Sequence, residues 1–146
     1  MPASSPSPLL HQTLPEFRRS AVSGGALFDS DAQRGHVVLV KFFAKYCAPC
    51  QRTLPSVEAL HREHPDVVVV GVSEDDLEDD AAEQVQMLGL SFPVVLDRGH
   101  ALAGKFRVSE MPVAFVADER GRVVWVGGPE KDAASMRAAV SAALRE

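Results

Sequence analysis

The run Val37-Val38-Leu39-Val40-Lys41-Phe42-Phe43 carries one polar residue, and its β-branched and aromatic side chains show no polar alternation. That pattern predicts a central strand covered on both faces. Ala44-Lys45-Tyr46 then leads into Cys47-Ala48-Pro49-Cys50, and Leu54, Val57, Leu60 and His61 recur at three to four residues as far as His64-Pro65. A helix is therefore expected to start at the cysteine pair and end near His64, with Pro55 inside it as a predicted kink. A buried strand feeding a helix through a Cys-x-x-Cys is a narrow specification, because it demands a covered sheet and a helix packed on it.

The rest of the chain completes that arrangement. Phe17–Val22 and Ala26–Phe28 flank Ser23-Gly24-Gly25 and read as a short hairpin. Val67–Val72 is a second buried strand, Asp76 to Gly89 a helix with Ala81, Ala82, Val85 and Leu88 on one side, and Val94-Val95-Leu96 a short strand. Gly99 to Phe106 is a short helix. Val113–Ala117 and Arg122–Val126 form a hairpin around the turn Asp118-Glu119-Arg120-Gly121. A terminal helix is expected from Glu130 to Leu144. Alternating strands and helices with a late antiparallel hairpin predict an α/β fold, a central mixed sheet with helices on both faces. Residues 1–13, rich in Pro and Ser, read as a flexible lead-in. Residues 14–146 read as a single domain, a size that 146 residues at 46% hydrophobic content can supply with a core.

The formal charge of -5, from 15 Lys and Arg against 20 Asp and Glu, argues against nucleic acid as a partner. The acidic run Glu74-Asp75-Asp76 and Glu78-Asp79-Asp80 reads as a solvated helix start, since consecutive carboxylates do not all converge on one point. No apolar run approaches a membrane span, and no secretory signal shows. The expected location is the cytoplasm, or the periplasm if an export segment has been trimmed. With no long exposed apolar helix, a monomer is expected.

Two cysteines this close are not a disulfide scaffold of the secreted kind. At a helix N-terminus, free backbone N–H groups and the helix dipole stabilise a thiolate at Cys47. Cys50, one turn inside, is predicted to be more buried and less acidic. The two cysteines therefore divide as nucleophile and resolving thiol. Pro49 is tolerated in the first helical turn and restricts the loop that presents Cys47. Phe42, Phe43 and Tyr46 supply an apolar collar. The competing readings are an inert or structural cysteine pair and half of a zinc site, Cys47, Cys50, His61 and His64. The histidine spacing falls short of zinc-finger ranges. Gly99 to Lys105 fits G-x-x-x-x-G-K, but Phe106 stands where Ser or Thr would hold magnesium. No cofactor and no metal are expected.

Taken with Leu54-Pro55, Ser91–Asp97, Val108–Val116 and Asp118–Val124, the Cys-Ala-Pro-Cys segment resembles the thioredoxin superfamily, in particular its TlpA/ResA-like thiol–disulfide oxidoreductase (redoxin) branch. The likeness runs from about Leu14 to Leu144. It implies a thioredoxin fold with an N-terminal β-hairpin and an inserted helix before the strand at 94–96. It also implies exchange of a Cys47–Cys50 dithiol/disulfide with protein clients through a mixed disulfide, with an upstream protein reductant. Pro112 would be a cis proline facing the cysteines, with Met111 offering backbone groups to a client strand. Three positions depart from the branch. Tyr46 replaces the usual tryptophan. Thr53 stands where a ResA-type glutamate is expected. Lys41 replaces the buried acid or asparagine. An unpaired ammonium on a buried strand tends to lose its proton; it would tune a nearby thiolate, or else snorkel or pair with an acid at a strand edge. The alternatives to an oxidoreductase are a non-catalytic interaction domain with a structural disulfide, and a thiol peroxidase. For the latter, Arg52 and Thr53 follow the cysteine pair instead of forming T-x-x-C.

Overall fold

The computed structural model describes residues 7–22, 25–129, 131 and 133–146. In chain order the elements are the antiparallel hairpin β1 (Arg18–Ser20) and β2 (Leu27–Asp29), β3 (Val38–Phe43), α1 (Ala48–Glu63), β4 (Val68–Ser73), α2 (Glu78–Leu88), β5 (Val94–Leu96), α3 (Ala101–Lys105), β6 (Val113–Ala117), β7 (Val123–Gly127) and α4 (Ala133–Leu144). The expected hairpin turn at Ser23-Gly24, the lead-in at residues 1–6 and the helix start at Glu130 lie outside the described residues.

Five strands form one mixed sheet in the order β5-β4-β3-β6-β7. β3 is central, parallel to β4 and antiparallel to β6; β4 and β5 are parallel, and β6 and β7 antiparallel. All six residues of β3 are buried, as an unbroken apolar run requires when both faces of a sheet are covered. Its side chains alternate between two cores. Leu39 and Phe43 pack with Cys50, Leu54, Val57 and Leu60 of α1 and with Met136 and Val140 of α4. Val38, Val40 and Phe42 face the opposite core with Leu102, Phe106 and Phe115. There Phe106 makes edge contacts with both Phe42 and Phe115 at centroid distances of 5.1 Å, a geometry favoured by the ring quadrupoles.

Helix α1 begins at the cysteines because Cys47 serves as its N-cap, with Pro49 in the first turn. Pro55 lies inside the helix and has no N–H to return to Gln51. Helix α2 is the inserted helix before β5, and it closes on Gly89 in the left-handed region, which glycine adopts without steric cost.

Residues 7–13, within the expected lead-in, run beside β7. The N–H of His11 donates to the Val123 carbonyl and the N–H of Val123 to the Gln12 carbonyl, both at 2.8 Å, and Leu14 is buried. At the opposite margin, Val22 N–H donates to the Val94 carbonyl at 2.8 Å, and Ala21 bridges Val95. Among the described residues, no helix is long and apolar enough to cross a membrane.

Candidate active site

Cys47 and Cys50 form a disulfide with Cα atoms 5.2 Å apart. The two sulfurs have unequal surroundings. Cys50 is wholly buried on the inner face of α1, whereas Cys47 is partly exposed between the exposed residues Tyr46 and Ala48. The N–H of Cys50 points at Cys47 Sγ at 3.2 Å. This is the N-cap geometry in which a side-chain acceptor meets a free helical donor. Pro49 is exposed beside the pair. Thr53 sits one turn further on, and its hydroxyl donates to the Cys50 carbonyl at 3.0 Å.

The Met111–Pro112 peptide is cis. Val113, the next residue, lies opposite Phe42 in the β3–β6 register. Pro112 therefore stands at the end of the sheet where β3 hands over to the Cys47 loop. Pro112 is buried, Met111 half-buried, and Met111 and Cys47 pack against the same core.

Lys41 is 5% exposed. It lies between Leu39 and Phe43 on the strand and so projects to the face that holds Cys50. Its register partners are Gly71 on β4 and Ala114 on β6, small residues on both sides of a long side chain. Among the described residues no hydrogen-bond acceptor or carboxylate is paired with its ammonium, and burial lowers its pKa to about 8. The strand-edge ion pair considered from the sequence is thus absent for Lys41 among the described residues.

The acidic run departs from the solvated helix start read from the sequence. Glu74 and Asp75 are 4% and 5% exposed, because they follow β4 directly and precede α2. Asp75 is an anchor for the loop between β3 and Cys47. Its Oδ1 accepts the backbone N–H of Lys45 at 2.9 Å, and its Oδ2 accepts the Ser73 hydroxyl at 2.7 Å and Gln84 Nε2 at 2.8 Å. Gln51 completes the brace, donating to the Ala44 carbonyl at 3.0 Å and to Gln84 Oε1 at 2.6 Å. On the surface Lys45 pairs with Asp80 and Glu83 at 3.3 and 2.7 Å, and these two acids hold its pKa above the usual lysine value. Tyr46, 72% exposed, has its phenol pKa raised by partial desolvation and by the charges of Glu74, Asp75 and Asp76. Sequence reasoning missed Asp75, Gln84 and Gln51 as site residues. The one signal was the Ser73-x-Asp75 spacing at a strand end, a local side-chain-to-backbone pattern that recurs here as Asp75 N–H donating to Ser73 Oγ at 3.1 Å. Asp75→Ala would leave three donors without their acceptor. Urea unfolding should show a loss of roughly 2 kcal/mol; unchanged stability would mean water replaces the carboxylate.

A mixed five-stranded sheet with a disulfide at the start of its first long helix, and a cis proline at the same sheet end, defines a thioredoxin fold. The sequence profile of the AhpC/TSA family matches residues 10–126. The chain belongs to the AhpC/TSA family. It is 31% identical over 94 residues to the thiol-disulfide oxidoreductase ResA of Halalkalibacterium halodurans, covering 63% of this chain and 53% of that protein. It is 28% identical over 93 residues to ResA of Bacillus anthracis, covering 62% and 54%. The chain thus spans about half the length of these curated relatives. A crystal structure of a thiol:disulfide interchange protein of the thioredoxin family from Chlorobium tepidum superposes with a TM-score of 0.78 at 23% identity, covering 97% of this chain and 99% of that one. That last likeness is one of fold.

Proposed function

We propose that this chain is a protein thiol–disulfide oxidoreductase in which Cys47 is the nucleophile and Cys50 the resolving thiol. The observation that carries the reading is the asymmetry of the pair: Cys47 partly exposed at a helix N-cap with a backbone N–H aimed at its sulfur, Cys50 fully buried behind it. In the reduced protein that N–H and the helix dipole stabilise the Cys47 thiolate. The thiolate attacks one sulfur of a client disulfide, forms a mixed disulfide and expels the first client thiolate. Cys50 then attacks Cys47 Sγ and expels the second. The client gains two electrons and the protein is left with the Cys47–Cys50 disulfide. A dithiol protein upstream returns the two electrons by the same exchange. Met111, next to the disulfide end of the sheet, offers backbone groups to an extended client segment. Names of relatives as thiol-disulfide oxidoreductases support the reading.

The test is reduction of insulin by dithiothreitol. The protein should accelerate the appearance of free B chain and should not consume hydrogen peroxide in the same samples. No acceleration would reject the oxidoreductase, leaving a structural disulfide; peroxide consumption in its place would identify a thiol peroxidase.

A further inference from the structure

At the end of the sheet where β3, β4 and β5 finish, three ligand-bearing side chains converge from separate segments: Glu74 after β4, Asp97 after β5, and His100 in the turn before α3. One ligand atom from each lies within 4.8 Å of the other two. We propose that Glu74, Asp97 and His100 form a binding site for one divalent transition-metal ion of the zinc type.

The geometry has three supports. Glu74 is almost wholly buried, and among the described residues no N–H or O–H donor reaches its Oε2, while its carboxyl lies against that of Asp97. A buried carboxylate oxygen without a donor is costly, and a cation is a direct way to satisfy it. Both acids are anchored through their main chains. Glu74 N–H donates to the Phe43 carbonyl at 2.8 Å, and Asp97 N–H to the Ser73 carbonyl at 2.9 Å. Asp97 also accepts Leu102 N–H on Oδ1 at 2.7 Å and Ala103 N–H on Oδ2 at 2.8 Å, which leaves each oxygen one lone pair. The third support is access. The His100 side chain is half exposed and its Nδ1 meets Glu74 Oε1 at 2.6 Å. It lies in a turn where Gly99 and His100 both have positive φ, 66° and 58°, so this local backbone aims the imidazole back at β4.

The donor set selects the ion. Two carboxylate oxygens and one imidazole nitrogen suit zinc and its neighbours, whereas magnesium and calcium prefer all-oxygen sites. Three protein ligands leave a fourth tetrahedral position for water. Two ligand atoms on a tetrahedral zinc stand about 3.3 Å apart, so His100 has to withdraw slightly from Glu74 as the ion enters. His100 is free to do this because its ring is on the surface.

The test is calorimetric titration of the oxidised protein with zinc chloride. In that form Cys47 and Cys50 are bonded to each other and offer no thiolate. One zinc per chain should bind. His100→Ala, a change on an exposed side chain, should weaken it at least about tenfold. Glu74→Gln should abolish it, with the fold of each variant checked by circular dichroism. Absence of saturable binding, or binding by His100→Ala as tight as wild type (zinc held by other histidines), would overturn the site. Catalytic failure in the insulin assay would leave this result untouched, since it concerns other residues.

Discussion

Cys47→Ser is expected to bring insulin reduction down to the rate of dithiothreitol alone, whereas Cys50→Ser is expected to stop after the first step and accumulate a covalent adduct. The difference follows from burial. Cys50, fully enclosed on the inner face of α1, cannot meet a client sulfur, so the protein without Cys47 has no usable nucleophile. With Cys50 removed, Cys47 keeps its place at the helix N-cap and still receives the stabilisation of the helix N-terminus. The mixed disulfide then forms and has no internal thiol to release it. Non-reducing electrophoresis and intact mass, after incubation of each reduced variant with an oxidised client, separate the two. A dithiothreitol-sensitive adduct should be seen for Cys50→Ser and none for Cys47→Ser. Equal adducts from both variants would remove the assigned roles.

Lys41→Met should make the protein more stable at pH 7, by about 3 kcal/mol, and its disulfide less oxidising. In the unfolded chain a lysine keeps its ordinary pKa; in the fold, burial lowers that of Lys41 to about 8. Below pH 8 both states carry the charge and the native state bears the full burial penalty. Between about pH 8 and 10.5 the native state releases its proton first, the unfolded state binds more protons, and stability rises with pH. A shift of this size corresponds to about 3 kcal/mol. Urea unfolding of the two proteins at pH 7 and at pH 10.5 checks the sign: methionine should have its advantage at pH 7 and lose most of it at pH 10.5. Since Lys41 projects to the face that holds Cys50, its charge favours a thiolate there and so the reduced form. Its removal should lower the potential by on the order of 30 mV, read from glutathione equilibration. An unchanged potential would confine Lys41 to a structural effect.

Much of this was legible in the sequence for a local reason. The β3 run, the Cys-x-x-Cys, the helix behind it and the hairpin around Gly121 each announce themselves within a dozen residues, through periodicity and turn chemistry. The cis Met111–Pro112 peptide was reached by resemblance, not by any property of the dipeptide. What stayed hidden depends on register and on contacts between distant elements. The small neighbours of Lys41, Gly71 and Ala114, are fixed by strand pairing. The brace from Gln51 through Gln84 to Asp75 joins α1, α2 and the end of β4. Glu58 on α1 is another case: it accepts both the N–H and the hydroxyl of Ser91, 33 residues away, at 2.7 and 2.6 Å. An acidic run on paper gives no sign that its first two members turn inward, because charge alone favours the solvated reading.

The N-terminal segment that touches Val123 at one margin of the sheet and Val94 and Val95 at the other bears on self-association. An open sheet presents unpaired N–H and C=O groups along its outer strands, a template on which another chain can grow. Here one stretch of polypeptide occupies part of both templates. Removing it would cost two sets of backbone hydrogen bonds and also leave two adhesive borders. A shortened protein lacking residues before β3 should therefore be prone to edge-to-edge aggregation even where its disulfide chemistry is intact.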